Sequence, residues 1–145
     1  MPITLLGRYL RPSASVALPL FMHAVPAGFP SPAHDYIERT LDLNELCIRH
    51  PAATYFVRAE GDSMLGAGIF SGDILVVDRA LKAVDGDIVI ACVNGEFTVK
   101  ELRTRPALQL LAHNPDYAPI LFGPESTLEL FGVVTTVIHS VRQRG

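Results

Sequence analysis

Gly86-Asp87-Ile88-Val89-Ile90-Ala91-Cys92-Val93-Asn94-Gly95-Glu96-Phe97-Thr98-Val99-Lys100 is the stretch whose pattern decides the fold. Ile88–Val93 is short, continuous and rich in β-branched residues, as expected of a strand buried on both faces. Asn94-Gly95 follows directly. Between two apolar runs that dipeptide signals a two-residue hairpin turn, because both residues tolerate positive φ. The returning strand is predicted over residues 96–102. Side chains alternate along a strand, so Phe97 and Val99 share one face, while Thr98, Lys100 and Leu102 share the other.

Working outward, the β pattern continues on both sides. Upstream, Thr54–Ala59 and residues 73–78 read as strands, and downstream so do residues 108–111, 128–130 and 132–138. Residues 40–50 read as one short helix: Leu43, Leu46 and Cys47 fall at i, i+3 and i+4, Asp42 can cap its start, and His50-Pro51 ends it. The chain has no 20–50-residue repeat and no alternation of strands with long helices. Residues 39–145 are therefore predicted to form a mainly β domain of short strands in curled sheets. Residues 1–38 carry six of the eleven prolines and are expected to be an extended arm.

With 145 residues and 49% apolar side chains, the chain is long and apolar enough to bury a core. A net charge of −3 lacks the basic footprint of a nucleic-acid binder, so no direct sequence-specific DNA binding is expected. Cys47 and Cys92 stand among apolar neighbours, where free buried thiols are common, and a reduced, cytoplasmic protein is expected. No apolar run is long enough to span a membrane. Residues 14–22 have some likeness to the apolar core of a signal peptide, with Ala27 as the end of a cleavage site, but Pro19 interrupts the run.

Two residues carry the chemistry. Ser63 lies in Gly61-Asp62-Ser63-Met64, on a turn held between two strands. Lys100 faces apolar neighbours on the hairpin's second strand. Burial disfavours the charged form of a lysine, and a neutral amine can take a proton from a serine hydroxyl. Such a Ser–Lys dyad needs neither histidine nor carboxylate. That matters because His23, His34, His50, His113 and His139 show no catalytic or metal-ligand spacing. Backbone N–H groups at Asp62 and Ser63 would form the oxyanion hole. The plainer assignments are a turn serine bonded to its own backbone and an edge-strand lysine that discourages aggregation. Spacing alone leaves both pairs of readings open. Asp62, Asp73, Asp78, Asp85 and Asp87 sit at strand ends, where aspartate is ordinary turn chemistry, and no metal or cofactor is implied. In the arm, Val25-Pro26-Ala27-Gly28-Phe29-Pro30 sets two small residues between stiffening prolines. A narrow protease cleft could accept such a peptide, and a plain loop would also account for it.

At these residues the sequence resembles the LexA-type self-cleaving peptidases. The likeness rests on Gly61-Asp62-Ser63-Met64, Gly72-Asp73-Ile74-Leu75-Val76-Val77-Asp78, Gly86-Asp87-Ile88-Val89 and Glu96-Phe97-Thr98-Val99-Lys100. Gly28-Phe29-Pro30-Ser31-Pro32-Ala33 and His50-Pro51-Ala52-Ala53-Thr54-Tyr55-Phe56 resemble the UmuD, MucA and ImpA branch. The resemblance spans residues 21–137. It implies the curled β fold of LexA and the signal peptidases, with Ser63 as nucleophile, Lys100 as general base and Ala27-Gly28 as the cleavage site. It also implies stimulation by RecA filaments on single-stranded DNA. The product would be a homodimer that joins a UmuC-type Y-family DNA polymerase for translesion synthesis in the SOS response. Two other readings stay in view: a non-catalytic interaction module regulating a polymerase, and a signal peptidase. The latter would need a membrane anchor or an apolar surface loop. The first 20 residues match the family poorly, and the chain has no room for the helix-turn-helix of LexA proper, so a repressor is not expected.

Overall fold

The computed structural model describes residues 2–8, 17–21 and 37–142. The chain divides into two compact units, one of Met1–Leu10 with His50–Gly145 and one of Arg11–Arg49.

The smaller unit pairs β2 (Ala17–Phe21) antiparallel with β3 (Ile37–Asp42). The helix α1 (Leu43–Cys47) follows β3 directly. The Asp42 carboxylate caps it, accepting the Asn44 N–H at 2.9 Å, as the sequence suggested. The helix is shorter than the expected 40–50, because residues up to Asp42 are strand. Pro19 sits within β2 opposite Thr40. In a two-stranded sheet every strand is an edge, where a missing N–H is tolerated.

The larger unit is one antiparallel sheet. Its strands are β1 (Ile3–Arg8), β4 (Thr54–Ala59), β5 (Ile74–Asp78), β6 (Ile88–Val93), β7 (Glu96–Arg103), β8 (Gln109–Leu111), β9 (Ile120–Leu121) and β10 (Leu128–Ile138). Their spatial order is β1-β4-β5-β10-β6-β7-β8-β9. The predicted hairpin is present: Val93 pairs with Glu96, and Asn94 and Gly95 take φ of 50° and 88°. The mainly β expectation holds, with strand ends within a residue or so of those expected. Two downstream runs, 128–130 and 132–138, are in fact one strand. β10 spans the sheet's middle, pairing β6 through its first half and β5 through its second.

A register shift between Leu130 and Gly132 lets β10 change partners. Gly132 has φ of +153°, and a Cβ there would lie 2.5 Å from Val77 Cγ1. Only glycine allows β5 and β10 to approach so closely at that bend. Gly132→Ala should therefore destabilise the fold by about 1–3 kcal/mol, read as a lower urea midpoint at unchanged slope.

The core shows why the sheet curls. Val57 of β4, Leu75 and Val77 of β5, Ile90 of β6 and Val99 of β7 belong to one buried cluster. Strands far apart in spatial order pack on a shared interior, so the sheet wraps round it. Met64 and Ile69, from the loop after β4, complete the cluster at 0% and 1% exposure. A second cluster, of Val89, Ala91, Leu102 and Leu110, lies on the opposite face of β6 and β7. Consecutive residues of these two strands thus feed different cores, as alternation requires. Among the described residues, no helix is long and apolar enough to cross a membrane.

Candidate active site

The loop from Glu60 to Asp73 leaves β4 and returns into β5. Its two ends are tied together, with Ala59 N–H donating to Asp73 O at 2.9 Å and Gly72 N–H donating to Ala59 O at 2.7 Å. The turn opens at Gly61, whose N–H donates to Ser71 Oγ at 3.2 Å. Met64 and Ile69 anchor the loop in the core. Ser63 lies between the opening glycine and this anchor, and is 2% exposed.

Lys100 comes from β7. The strand's pleat turns it onto the face shared with Thr98, as alternation predicted, and it is 5% exposed. Its Nζ lies 3.1 Å from Ser63 Oγ, 3.0 Å from Thr98 Oγ1 and 3.1 Å from Val99 O. None of these three partners is ionised. Burial accordingly pushes the Lys100 amine below the ordinary lysine range. A neutral amine has two N–H groups and one lone pair. Val99 O and Thr98 Oγ1 can take the two N–H bonds, which leaves the lone pair for the Ser63 hydroxyl proton. This is the hydrogen-bond arrangement of a base poised against a nucleophile.

The nucleophile loop is stitched to the segment after β8. His113 N–H donates to Ser63 O, and Gly66 N–H donates to His113 O, each at 2.8 Å. Asn114 Nδ2 donates to Asp62 O at 2.9 Å, and Tyr117 donates its phenolic O–H to the Asp62 carboxylate. The N–H groups of Asp62 and Ser63 meet no protein acceptor among the described residues. Next to Lys100 a cleft of about 500 Å³ opens, with Thr98, Phe97, Glu96 and Ile120 in its walls.

The structure thus brings Asp62, Ser63 and Lys100 together. Ala27 and Gly28, the expected cleavage site, lie outside the described residues, as do His23 and His34. Sequence reasoning did not single out Thr98 as a partner of the amine, although alternation had put it on the right face. It also missed Asn114 and Tyr117, whose proximity to Ser63 no local pattern reveals.

The remaining acidic residues serve turns and histidine pairs at separate places. Asp73 accepts from Phe70 N–H and pairs with His139. Asp78 accepts from Ala80 N–H and pairs with His50 at 2.6 Å. Asp87 accepts from Val84 N–H, and Asp85 from Thr104 N–H, a bond that holds the Asp85 carboxyl below its usual range. Among the described residues no cluster of metal-ligating side chains forms. Cys47 and Cys92 are unpaired and half-buried, less enclosed than the sequence suggested.

Residues 19–135 match the family described as Peptidase S24-like. The chain is 59% identical over 124 residues to protein SamA of Salmonella typhimurium, an alignment covering 86% of each chain. It is 47% identical over 120 residues to protein MucA of Escherichia coli, covering 82% of each. It is 36% identical over 136 residues to the LexA repressor of an Azoarcus species, covering 92% of this chain and 66% of the repressor.

Proposed function

The chain belongs to the Peptidase S24-like family, and from that premise we propose that it is a serine peptidase that cuts its own N-terminal arm at Ala27-Gly28. The observation that carries this reading is the 3.1 Å separation of Ser63 Oγ from a buried Lys100 Nζ, whose hydrogen-bond partners Ser63 Oγ, Thr98 Oγ1 and Val99 O bear no charge. In this reading residues 1–38 supply the substrate and residues 39–145 the catalytic body.

Ser63 Oγ–H gives its proton to Lys100 Nζ as Oγ bonds to the Ala27 carbonyl carbon. The oxygen that becomes negative is held by the N–H groups of Asp62 and Ser63. Lys100, now an ammonium, returns the proton to the Gly28 nitrogen as the peptide bond breaks. Water then hydrolyses the Ser63 ester, with Lys100 again as base. Because the substrate is tethered, the step is effectively unimolecular, and orientation alone can supply several kcal/mol.

Resemblance to the UmuD, MucA and ImpA branch extends the proposal to partners. RecA filaments on single-stranded DNA would favour the arm-in-cleft state without adding chemistry. The fragment beginning at Gly28 would form a homodimer and serve a UmuC-type Y-family polymerase in translesion synthesis. The two unpaired cysteines suit a reducing cytoplasm.

Mass spectrometry of the purified protein, alone at pH ~10 or with RecA, ATP and single-stranded DNA, tests this directly. A loss of mass matching residues 1–27 is expected. A chain that stays intact under both conditions would identify a non-catalytic interaction module instead.

A further inference from the structure

We propose that Asn114, assisted by Tyr117, is the positioning residue that aims the Ser63 N–H into the oxyanion hole. The inference rests on the proposed self-cleavage and assigns a role to a segment that sequence reasoning left unused.

The physical basis is the planarity of the peptide bond. Asp62 C=O and Ser63 N–H belong to one trans peptide unit and point in opposite directions. Whatever holds the carbonyl therefore fixes the direction of the N–H. Asn114 Nδ2 donates to Asp62 O at 2.9 Å, and Leu65 N–H adds a longer bond of 3.4 Å. The next peptide unit is held in the same way, by His113 N–H on Ser63 O. Two consecutive carbonyls around the nucleophile are thus pinned from one turn.

That turn is itself built to present the amide. Asn114 Oδ1 accepts the Asp116 N–H at 2.9 Å, and Asn114 O accepts the Tyr117 N–H at 3.1 Å. The first bond decides which way the side-chain amide faces, so Nδ2 is left for Asp62. Tyr117 completes the clip by donating to the Asp62 carboxylate. A donor held in place before reaction needs no reorganisation when the oxyanion forms, and that is where such groups gain their effect.

Asn114→Asp keeps the Oδ1 acceptor for Asp116 but sets an anionic oxygen against Asp62 O, so Asn114→Ala, which removes the donor without adding charge, is measured beside it. The self-cleavage rate on the alkaline plateau should fall about 10²-fold in both, while in the uncharged Asn114→Ala the pH midpoint of the rise stays near wild type. Tyr117→Phe supplies the reading that a merely structural role would not move. The charged groups facing the Tyr117 phenol are Asp62 and Asp116, and the bond to Asp62 raises its ionisation above the ordinary 10.0. Once ionised, it can no longer donate and it repels Asp62. The wild-type rate should therefore bend downward on the far alkaline side, and Tyr117→Phe should be slower but lack the bend. Wild-type rates in Asn114→Ala, or a bend that persists in Tyr117→Phe, would overturn the assignment with self-cleavage intact. A wild-type chain that never cleaves would instead remove the proposed function, and this assignment with it.

Discussion

Lys100→Ala protein should remain full length under conditions that convert the wild type, with the self-cleavage rate lowered at least about 10³-fold. The size of the effect follows from the surroundings of Ser63. At 2% exposure it has little access to bulk base, and Lys100 Nζ is the amine within reach of its hydroxyl, at 3.1 Å. Hydroxide replaces the lysine poorly, because nothing holds it against the Ser63 hydroxyl as β7 holds the amine. Ser63→Ala should be equally inert, since no other hydroxyl occupies that position. The double variant should be no slower than either single one, because residues acting as one unit lose their function together. Cleavage should be followed by electrophoresis alongside a melting curve. Lys100→Ala that is folded and still yields a fragment starting at Gly28 would remove the dyad from the mechanism.

The two halves of this dyad were unequally legible in the sequence. Lys100 could be placed because strand alternation is a strict period-2 rule, and Asn94-Gly95 fixed the register from which to count. Its burial and its shared face with Thr98 followed from the same count. Ser63 could be placed on a turn, but its proximity to Lys100 depends on the sheet curling until β4 and β7 share a core. That is a long-range property, and no local pattern encodes it. Resemblance to a family supplied the pairing that periodicity could not. The clip from His113 to Tyr117 was illegible for the same reason: Asn114 and Tyr117 look like an ordinary turn until the fold sets them beside Asp62. Upstream, β2 was missed because Pro19 argues against a strand in general, while an edge strand accommodates it, and the end of β3 was missed because residues 40–42 were read as the start of the helix. The bulge at Gly132 hid the continuity of β10, because an extra residue breaks the alternation by which a strand is recognised.

Self-cleavage without RecA should accelerate close to tenfold for each pH unit below the Lys100 pKa and level off once Lys100 has lost its proton. Only the neutral amine can accept the Ser63 proton, and well below the Lys100 pKa its fraction grows tenfold per unit. Desolvation lowers that pKa, so the plateau should be reached below the ordinary lysine value of 10.5. Stability gives an independent check on the same group. Below the folded-state pKa, the folded protein must hold an ammonium in an apolar site, and the penalty is fully present. As pH rises from that value towards 10.5, the folded state has released its proton while the unfolded chain still binds one. The unfolded state then carries more protons, so stability must rise with pH across this window. Lys100→Met keeps the side chain's length and has nothing to titrate. Its packing differences from wild type are independent of pH, so the wild type should gain on it steadily across the window. Urea unfolding of both proteins at several pH values measures this, with Ser63→Ala in each to keep the chains whole. A constant gap between them, together with a cleavage rate that is flat in pH, would mean that Lys100 does not titrate in the folded protein and cannot serve as its base.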